Sequence, residues 1–267
     1  MPSVSQQARG AASRAADNSW LERLTRAGLI GYGVLHLLFA YVIAKIAIGR
    51  PAEDGDQSGA MHNLAQEPFG AAVIVAIVIG LVAMVIWQIL EVVTERRLLD
   101  RLASAGRAAF YAYLAWTGVK VLRGKKTSSA DMQQDTTEGL LGSSAGRVAV
   151  VLAGLVVLAI GVGLIWSGVT KRFEKHLKVS QMSASTRRII GRLGLAGFIV
   201  KGIAYGIAGV LFVVAALTYD PDKARGLDAA LQALSSQSYG MWLLLVAALG
   251  FVAYGLFALA ESRFRKI

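Results

Sequence analysis

Six long apolar blocks set the terms for this chain, at 27–48, 69–93, 102–122, 146–169, 193–217 and 240–260. A helix rises about 1.5 Å per residue and bilayer hydrocarbon is about 30 Å thick, so a span needs about 20 mostly apolar residues. Each block has that length. Backbone N–H and C=O groups find no water inside a bilayer, and a helix is the form in which one such block satisfies them alone. Hydrophobic residues make up 55% of the chain and charged residues 17%, against roughly 25% charged in soluble domains. The reading is an all-α integral membrane protein.

The net charge of +11 would point to nucleic acid in a soluble protein. Here the basic residues flank spans, and no nucleic-acid partner is expected. Eighteen lysines and arginines fall on the side that holds the N-terminus, the loop near Arg97, the 171–192 loop and the C-terminus, against seven on the other. Lys/Arg bias marks the cytoplasmic side, so both termini are expected there, in the plasma membrane. Acids such as Glu53, Asp54, Asp131 and Asp220 gather in the opposite loops. Tyr219, Tyr239 and Trp242 fall at the outer boundary and Trp20, Trp166 and Phe264 at the inner one, where amphipathic rings favour the headgroup level. Residues 1–19 form a polar tail, expected to be disordered, without the apolar region of a secretory signal, so the first span is expected to direct insertion.

The blocks come in pairs. Sliding the chain by about 170 residues, as a repeat search requires, brings Gly28 onto Gly197, Gly33 onto Gly202, Phe69-Gly70 onto Tyr239-Gly240 and Glu91 onto Glu261. A shift of about 77 brings in the middle pair more weakly, with Gly106 under Gly28 and Gly146 under Gly70. Three repeats follow, at 20–98, 99–178 and 179–267. Each is a basic start, a Gly-containing helix, an acidic outer loop with a short amphipathic segment, a Gly, and a second helix. A two-helix unit returns to its starting side, so the copies are parallel. Parallel repeats are related by an axis along the membrane normal. The expected fold is a six-helix bundle with pseudo-threefold symmetry about that normal.

The segment Gly59-Ala60-Met61-His62-Asn63-Leu64-Ala65-Gln66-Glu67-Pro68-Phe69-Gly70, its counterpart from Leu231 to Gly240, and the runs LAGFIVKGIAYGIAGVLFV and VAALGFVAYGLFALAESRFR resemble the family called domain of unknown function 1206. The resemblance covers residues 20–267. It implies an actinobacterial membrane protein with three two-helix repeats, and it implies no activity. The second repeat departs from the pattern. Ser144-Ala145-Gly146 replaces Pro-Phe-Gly, and Ser167 stands where the others have Glu.

Lipid tails are as apolar as Leu, so close packing and interhelical hydrogen bonds must hold such a bundle. Small residues stripe the first helix of each repeat. Gly33, Ala40, Ala44 and Ala47 lie on the first, Ala105, Ala108, Ala112 and Ala115 on the third, and Gly202, Gly206 and Gly209 on the fifth. The expectation is that first helices cluster at the axis and second helices form an outer, lipid-facing layer.

Ionisable residues inside a span cost roughly 2.5–3.5 kcal/mol on insertion scales and call for a partner or a role. Lys45 and Lys120 lie near outer ends and are expected to snorkel. Lys201 lies deeper, and two readings stay open: an internal ion pair lining a cavity, or snorkelling to the cytoplasmic headgroups. Glu91 and Glu261 recur at matched positions and are expected to pair with a loop arginine or with Lys201. His36 sits mid-span. It reads as a neutral imidazole bonded across helices, or as a proton relay. Tyr205 and Tyr32 would line the same region. His62 and His176 fall on opposite membrane sides, and the chain has no cysteine, so no metal centre, haem pair, cofactor or thiol nucleophile is expected. No P-loop, nucleophile elbow or HExxH is present.

The expected role is a structural or accessory interaction protein of the cell envelope with a membrane-protein partner, because few polar residues are expected to face inward. The alternatives are a small-solute or ion transporter with a pathway between the repeats, lined by His36, Lys201, Tyr205 and Tyr32, and a lipid-handling membrane enzyme. The basic 171–192 loop is expected to meet anionic lipid at the cytoplasmic face.

Overall fold

The structure, a computed structural model, describes residues 19–49, 55–95, 97–125 and 128–266. The polar tail lies outside the described residues except for Ser19, which opens the first helix. Among the described residues the chain is helical, with one isolated antiparallel bridge between Leu177 and Arg265.

A long–short–long order occurs three times. It runs α1 (Ser19–Ala47), α2 (Gln57–Ala65), α3 (Gly70–Thr94); then α4 (Leu98–Leu122), α5 (Ser129–Leu141), α6 (Ser144–Val169); then α7 (Ala184–Thr218), α8 (Leu227–Ser235), α9 (Gly240–Phe264). Five of the long helices, all but α4, are long and apolar enough to cross a membrane. The sixth has the length but carries Asp100, Arg101, Arg107 and Lys120. Several helices extend beyond the apolar blocks. α7 starts at Ala184 rather than near 193, because Arg187, Arg188 and Arg192 are good helix formers although they are poor membrane residues.

Local chemistry places the starts. Ser143 caps α6 by accepting from the Gly146 N–H at 3.0 Å, and Ser183 caps α7 by accepting from Thr186 at 3.1 Å. At the turn from each short helix into the next long one the backbones meet. A Cβ on Gly70, Gly146 or Gly240 would overlap the carbonyl oxygen of Leu64, Leu140 or Ser235. Only glycine fits there, which is why this position recurs in all three repeats.

The strongest packing runs between repeats: α6 on α7, α9 on α1, and α3 on α4. Within repeats α1 packs on α3 and α7 on α9, but α4 and α6 do not pack closely. Small residues make the seams. A Cβ on Gly33 would lie 2.9 Å from the Gly255 carbonyl of α9. One on Gly202 would lie 2.6 Å from the Gly161 carbonyl of α6, and one on Gly209 2.7 Å from that of Gly154. This corrects the expected arrangement. Glycines join α1 and α7 to the second helix of a neighbouring repeat, not to the other first helices. Backbone contact needs glycine on both partners, and the second helices supply Gly154, Gly161 and Gly255.

Two ends can be told apart. At one, the short helices interlock: Asp56 accepts from the Ala130 N–H at 3.1 Å, Ser58 bonds Ser129 at 3.0 Å, and Asp228 accepts from the Gly55 N–H at 2.8 Å. At the other, Arg26 donates to the Arg263 carbonyl at 3.1 Å, and the Lys178 N–H donates to the Phe264 carbonyl at 2.7 Å.

A buried lysine among tyrosines

Tyr32 and His36 lie one turn apart on α1, and Lys201 and Tyr205 one turn apart on α7, so each pair shares a helix face. The two faces meet in the interior. The Lys201 ammonium nitrogen donates to the Tyr32 hydroxyl at 2.7 Å and lies 3.0 Å from His36 Nε2. His36 Nδ1 lies 2.8 Å from the Tyr32 carbonyl. A carbonyl only accepts, so Nδ1 carries the hydrogen and Nε2 is the acceptor for Lys201. The imidazole is then neutral and bridges α1 to α7.

Aromatic rings complete the enclosure. Lys201 Nζ sits 4.0 Å from the centre of the Tyr254 ring on α9, 5.0 Å from that of Tyr32 and 5.9 Å from that of Tyr205. Cation–π attraction is about 2 kcal/mol or more where water is excluded. Tyr111, on α4, packs edge-on to Tyr32 at 5.5 Å. Lys201 is 4% exposed and His36 1%. Among the described residues no carboxylate pairs with Lys201. The snorkelling reading of Lys201 is therefore overturned, and so is its expected pairing with glutamate. Glu91 instead accepts from Trp87 at 3.0 Å, Ser104 at 3.2 Å and Arg107 at 3.3 Å, while Glu261 holds Arg265 at 2.7 Å. Lys45 donates to Asn63 at 3.0 Å.

Tyr205 also faces a cavity of about 130 Å³. Phe110, Val157 and Phe212 form its apolar walls, and Asp56, Gln57, Ser129 and Gln133 its polar cover. The cavity lies between α4, α6 and α7, where the second repeat is splayed. Arg225 ties the cover together through Asp228 at 2.9 Å and Asp131 at 2.8 Å. Burial works against its charge, yet the Asp228 hydrogen bond and the two carboxylate charges hold the guanidinium above its ordinary value.

The family described as Domain of Unknown Function (DUF1206) matches three times, at residues 27–95, 102–171 and 196–265. The chain belongs to that family. A relative, "Uncharacterized protein YxxB" of Bacillus subtilis (strain 168), is 28% identical over 256 residues, which is 93% of this chain and 92% of that protein. No solved structure matches.

The family repeat explains which site residues were legible. Tyr32, His36, Lys201 and Tyr205 were candidates on their own spans, and the fold gathers all four. Tyr111 and Tyr254 were missed. Each is a mid-span tyrosine, and collecting every tyrosine far from a headgroup boundary would have found both. Gly33, Gly202, Gly206 and Gly209 all lie in the seams, a Cβ on Gly161 meeting the Gly206 nitrogen at 2.7 Å, although a Cβ on Gly206 itself would meet only the Leu158 Cδ1 atom, at 3.9 Å.

Proposed function

We propose that this membrane protein binds a small anionic solute at its centre and passes it across the bilayer. The observation that supports this is Lys201, an amine enclosed by Tyr32, His36 and Tyr254 with no carboxylate beside it among the described residues. An isolated ammonium in such a place costs several kcal/mol, and an anionic ligand would supply the missing charge. The accessory reading rested on a scarcity of inward polar groups, and the central cluster removes that support.

The reading takes six spans in three parallel repeats about a pseudo-threefold axis, with both termini cytoplasmic by the Lys/Arg bias. The cavity at Tyr205 would be the approach from the outer side, under the cover of the short helices. Splaying of α4 from α6 gives that approach its width. One observation favours a second reading, a lateral membrane-protein partner: Ala105, Ala109, Ala112 and Trp116 leave the outer face of α4 exposed.

The test is thermal unfolding of the purified chain in mild detergent against a panel of small carboxylates and inorganic anions, followed by flux of any stabilising anion in proteoliposomes. A ligand at 100 times its dissociation constant stabilises by about 2.7 kcal/mol. Stabilisation and flux are expected in the wild type and lost in Lys201→Met. If no anion stabilises the wild type more than the variant, and none crosses the vesicle membrane, the reading is overturned. A lone chain binding no anion and co-purifying with one membrane protein would favour the lateral partner instead.

A further inference from the structure

A second, larger hollow lies at the opposite end from the short helices. It has a volume of about 640 Å³ and sits between the end of α6 and the start of α7. Lys171, Arg187, Arg188 and Arg192 line it together with Ser180 and Glu174. Glu174 is taken by Arg187 at 3.1 Å. That leaves Lys171, Arg188 and Arg192 with no carboxylate among the described residues. Arg188 and Arg192 are one turn apart on α7, where like charges repel each other. Some other arginines are paired, Arg107 with Glu91, Arg225 with Asp228 and Arg265 with Glu261, while exposed ones such as Arg101 and Arg263 hold no carboxylate among the described residues. What sets Lys171, Arg188 and Arg192 apart is that all three line one hollow.

The remaining walls are apolar. Val179, Met182 and Leu195 line the hollow beside the cations, and the long apolar run of α7 begins just beyond Arg192. A charged mouth with an apolar wall suits a group that is anionic at one end and greasy at the other. We infer that this hollow is a binding site for a phosphate-bearing anion, with Arg188, Arg192 and Lys171 holding the phosphate oxygens. Guanidinium matches phosphate with paired parallel hydrogen bonds. The phosphate can belong to an acidic phospholipid headgroup or come free from solution, and the two sources share this chemistry. The inference does not depend on the central anion site.

The experiment is native mass spectrometry of the full chain released from detergent with added phosphatidylglycerol or phosphatidylcholine, paired with thermal unfolding in inorganic phosphate. Three proteins are compared: the wild type, Arg188→Gln/Arg192→Gln, and Arg263→Gln as a control for basic charge outside the hollow. Each basic residue near an anionic surface contributes roughly fivefold in affinity, so the double variant should bind phosphatidylglycerol about 25-fold more weakly. Arg263→Gln should bind nearly as the wild type does. If the lipid source is right, phosphatidylglycerol outcompetes phosphatidylcholine and inorganic phosphate leaves the melting point unmoved. If the source is soluble, inorganic phosphate raises the melting point of the wild type but not of the double variant. Equal binding of both ligands by the wild type and the double variant overturns the site. An equal loss in Arg263→Gln also overturns it, since the attraction is then that of the basic surface as a whole. Both arginines of the double variant are exposed, and an unchanged melting point without ligand confirms that it is folded.

Discussion

Lys201 and Tyr32 are 169 residues apart and occupy the same register in the third and first repeats, yet their side chains meet at 2.7 Å. Equivalent positions on two helices touch only if both helices turn the same face to a common interior. The contact also joins unlike residues, a donor on one copy and an acceptor on the other. A duplicated sequence has here diverged into a complementary pair.

That complementarity gives the first prediction. Tyr32→Phe removes an acceptor from a buried amine, and a buried polar group left short of a partner costs about 1–3 kcal/mol. Lys201→Met removes the amine itself and keeps most of the volume. Replacing an uncompensated buried charge by an apolar side chain is often neutral or stabilising. Tyr32→Phe should therefore lower stability in detergent unfolding, Lys201→Met should not, and the double variant should resemble Lys201→Met. A non-additive cycle of this kind is the mark of direct coupling. Equal losses in both single variants would show that the pair is ordinary packing.

The glycine seams predict a ranking. At Gly202 a methyl group would press on the Gly161 carbonyl at 2.6 Å, and at Gly209 on the Leu158 N–H nitrogen at 2.5 Å. Alanine at either site must push α6 from α7, costing about 1–3 kcal/mol. Gly206 has room, and Gly163 has nothing within 4 Å. Alanine at these two should be neutral, or stabilising by about 0.5–1 kcal/mol through helix propensity. Thermal unfolding of the four variants checks the order.

The same contrast explains what the sequence could reveal. Gly206 and Gly209 look alike in a glycine-rich span, because spacing reports which face a residue is on and not how closely a neighbour approaches. The apolar blocks were plain, since hydrocarbon thickness dictates their length. Their ends were not: basic residues such as Arg187 continue the helix outside the hydrocarbon, where composition no longer distinguishes helix from loop. The pairing of Lys201 was hidden for a different reason. Its partners are tyrosine and histidine rather than carboxylates, and Tyr254 comes from a helix on which nothing ionisable marks the spot.

Asp56 predicts how the cover over the cavity is held. Its carboxylate accepts from the Gly59 N–H at 2.9 Å, capping α2, from the Ser58 hydroxyl at 2.6 Å, and from the Ala130 N–H at the start of α5. Asp56→Ala strips a cap, typically about 1 kcal/mol, and strands a second buried N–H at about 1–3 kcal/mol more. The loss should total roughly 2–4 kcal/mol. It should also loosen the short helices before the bundle, seen as faster hydrogen exchange in α2 and α5 with α7 unchanged. Uniform loosening would mean that the cover and the bundle open together.

The final prediction concerns α4, whose charges leave it short of the apolarity that the other five long helices have. If α4 stayed out of the bilayer, α5 and α8 would lie on the opposite side from α2. The hydrogen bonds forbid this: α5 touches α2 through Ser129 and Ser58 at 3.0 Å, and reaches the start of α8 through Asp131 and Arg225 at 2.8 Å. Short helices bonded to one another share a side, so α4 is expected to cross. Lys120 lies in its last turn and Asp100 in its first, which leaves Arg107 as its one deeper charge, and Glu91 of α3 neutralises that at 3.3 Å. A chain without cysteine makes the check direct. Single cysteines at Thr136 on α5, Gln66 after α2 and Ser180 before α7 are probed in intact cells with a membrane-impermeant maleimide. Thr136→Cys and Gln66→Cys should label together from outside, and Ser180→Cys only after the cells are opened. Labelling of Gln66→Cys with Ser180→Cys, and not of Thr136→Cys, would put α4 outside the membrane and dismantle the bundle as described.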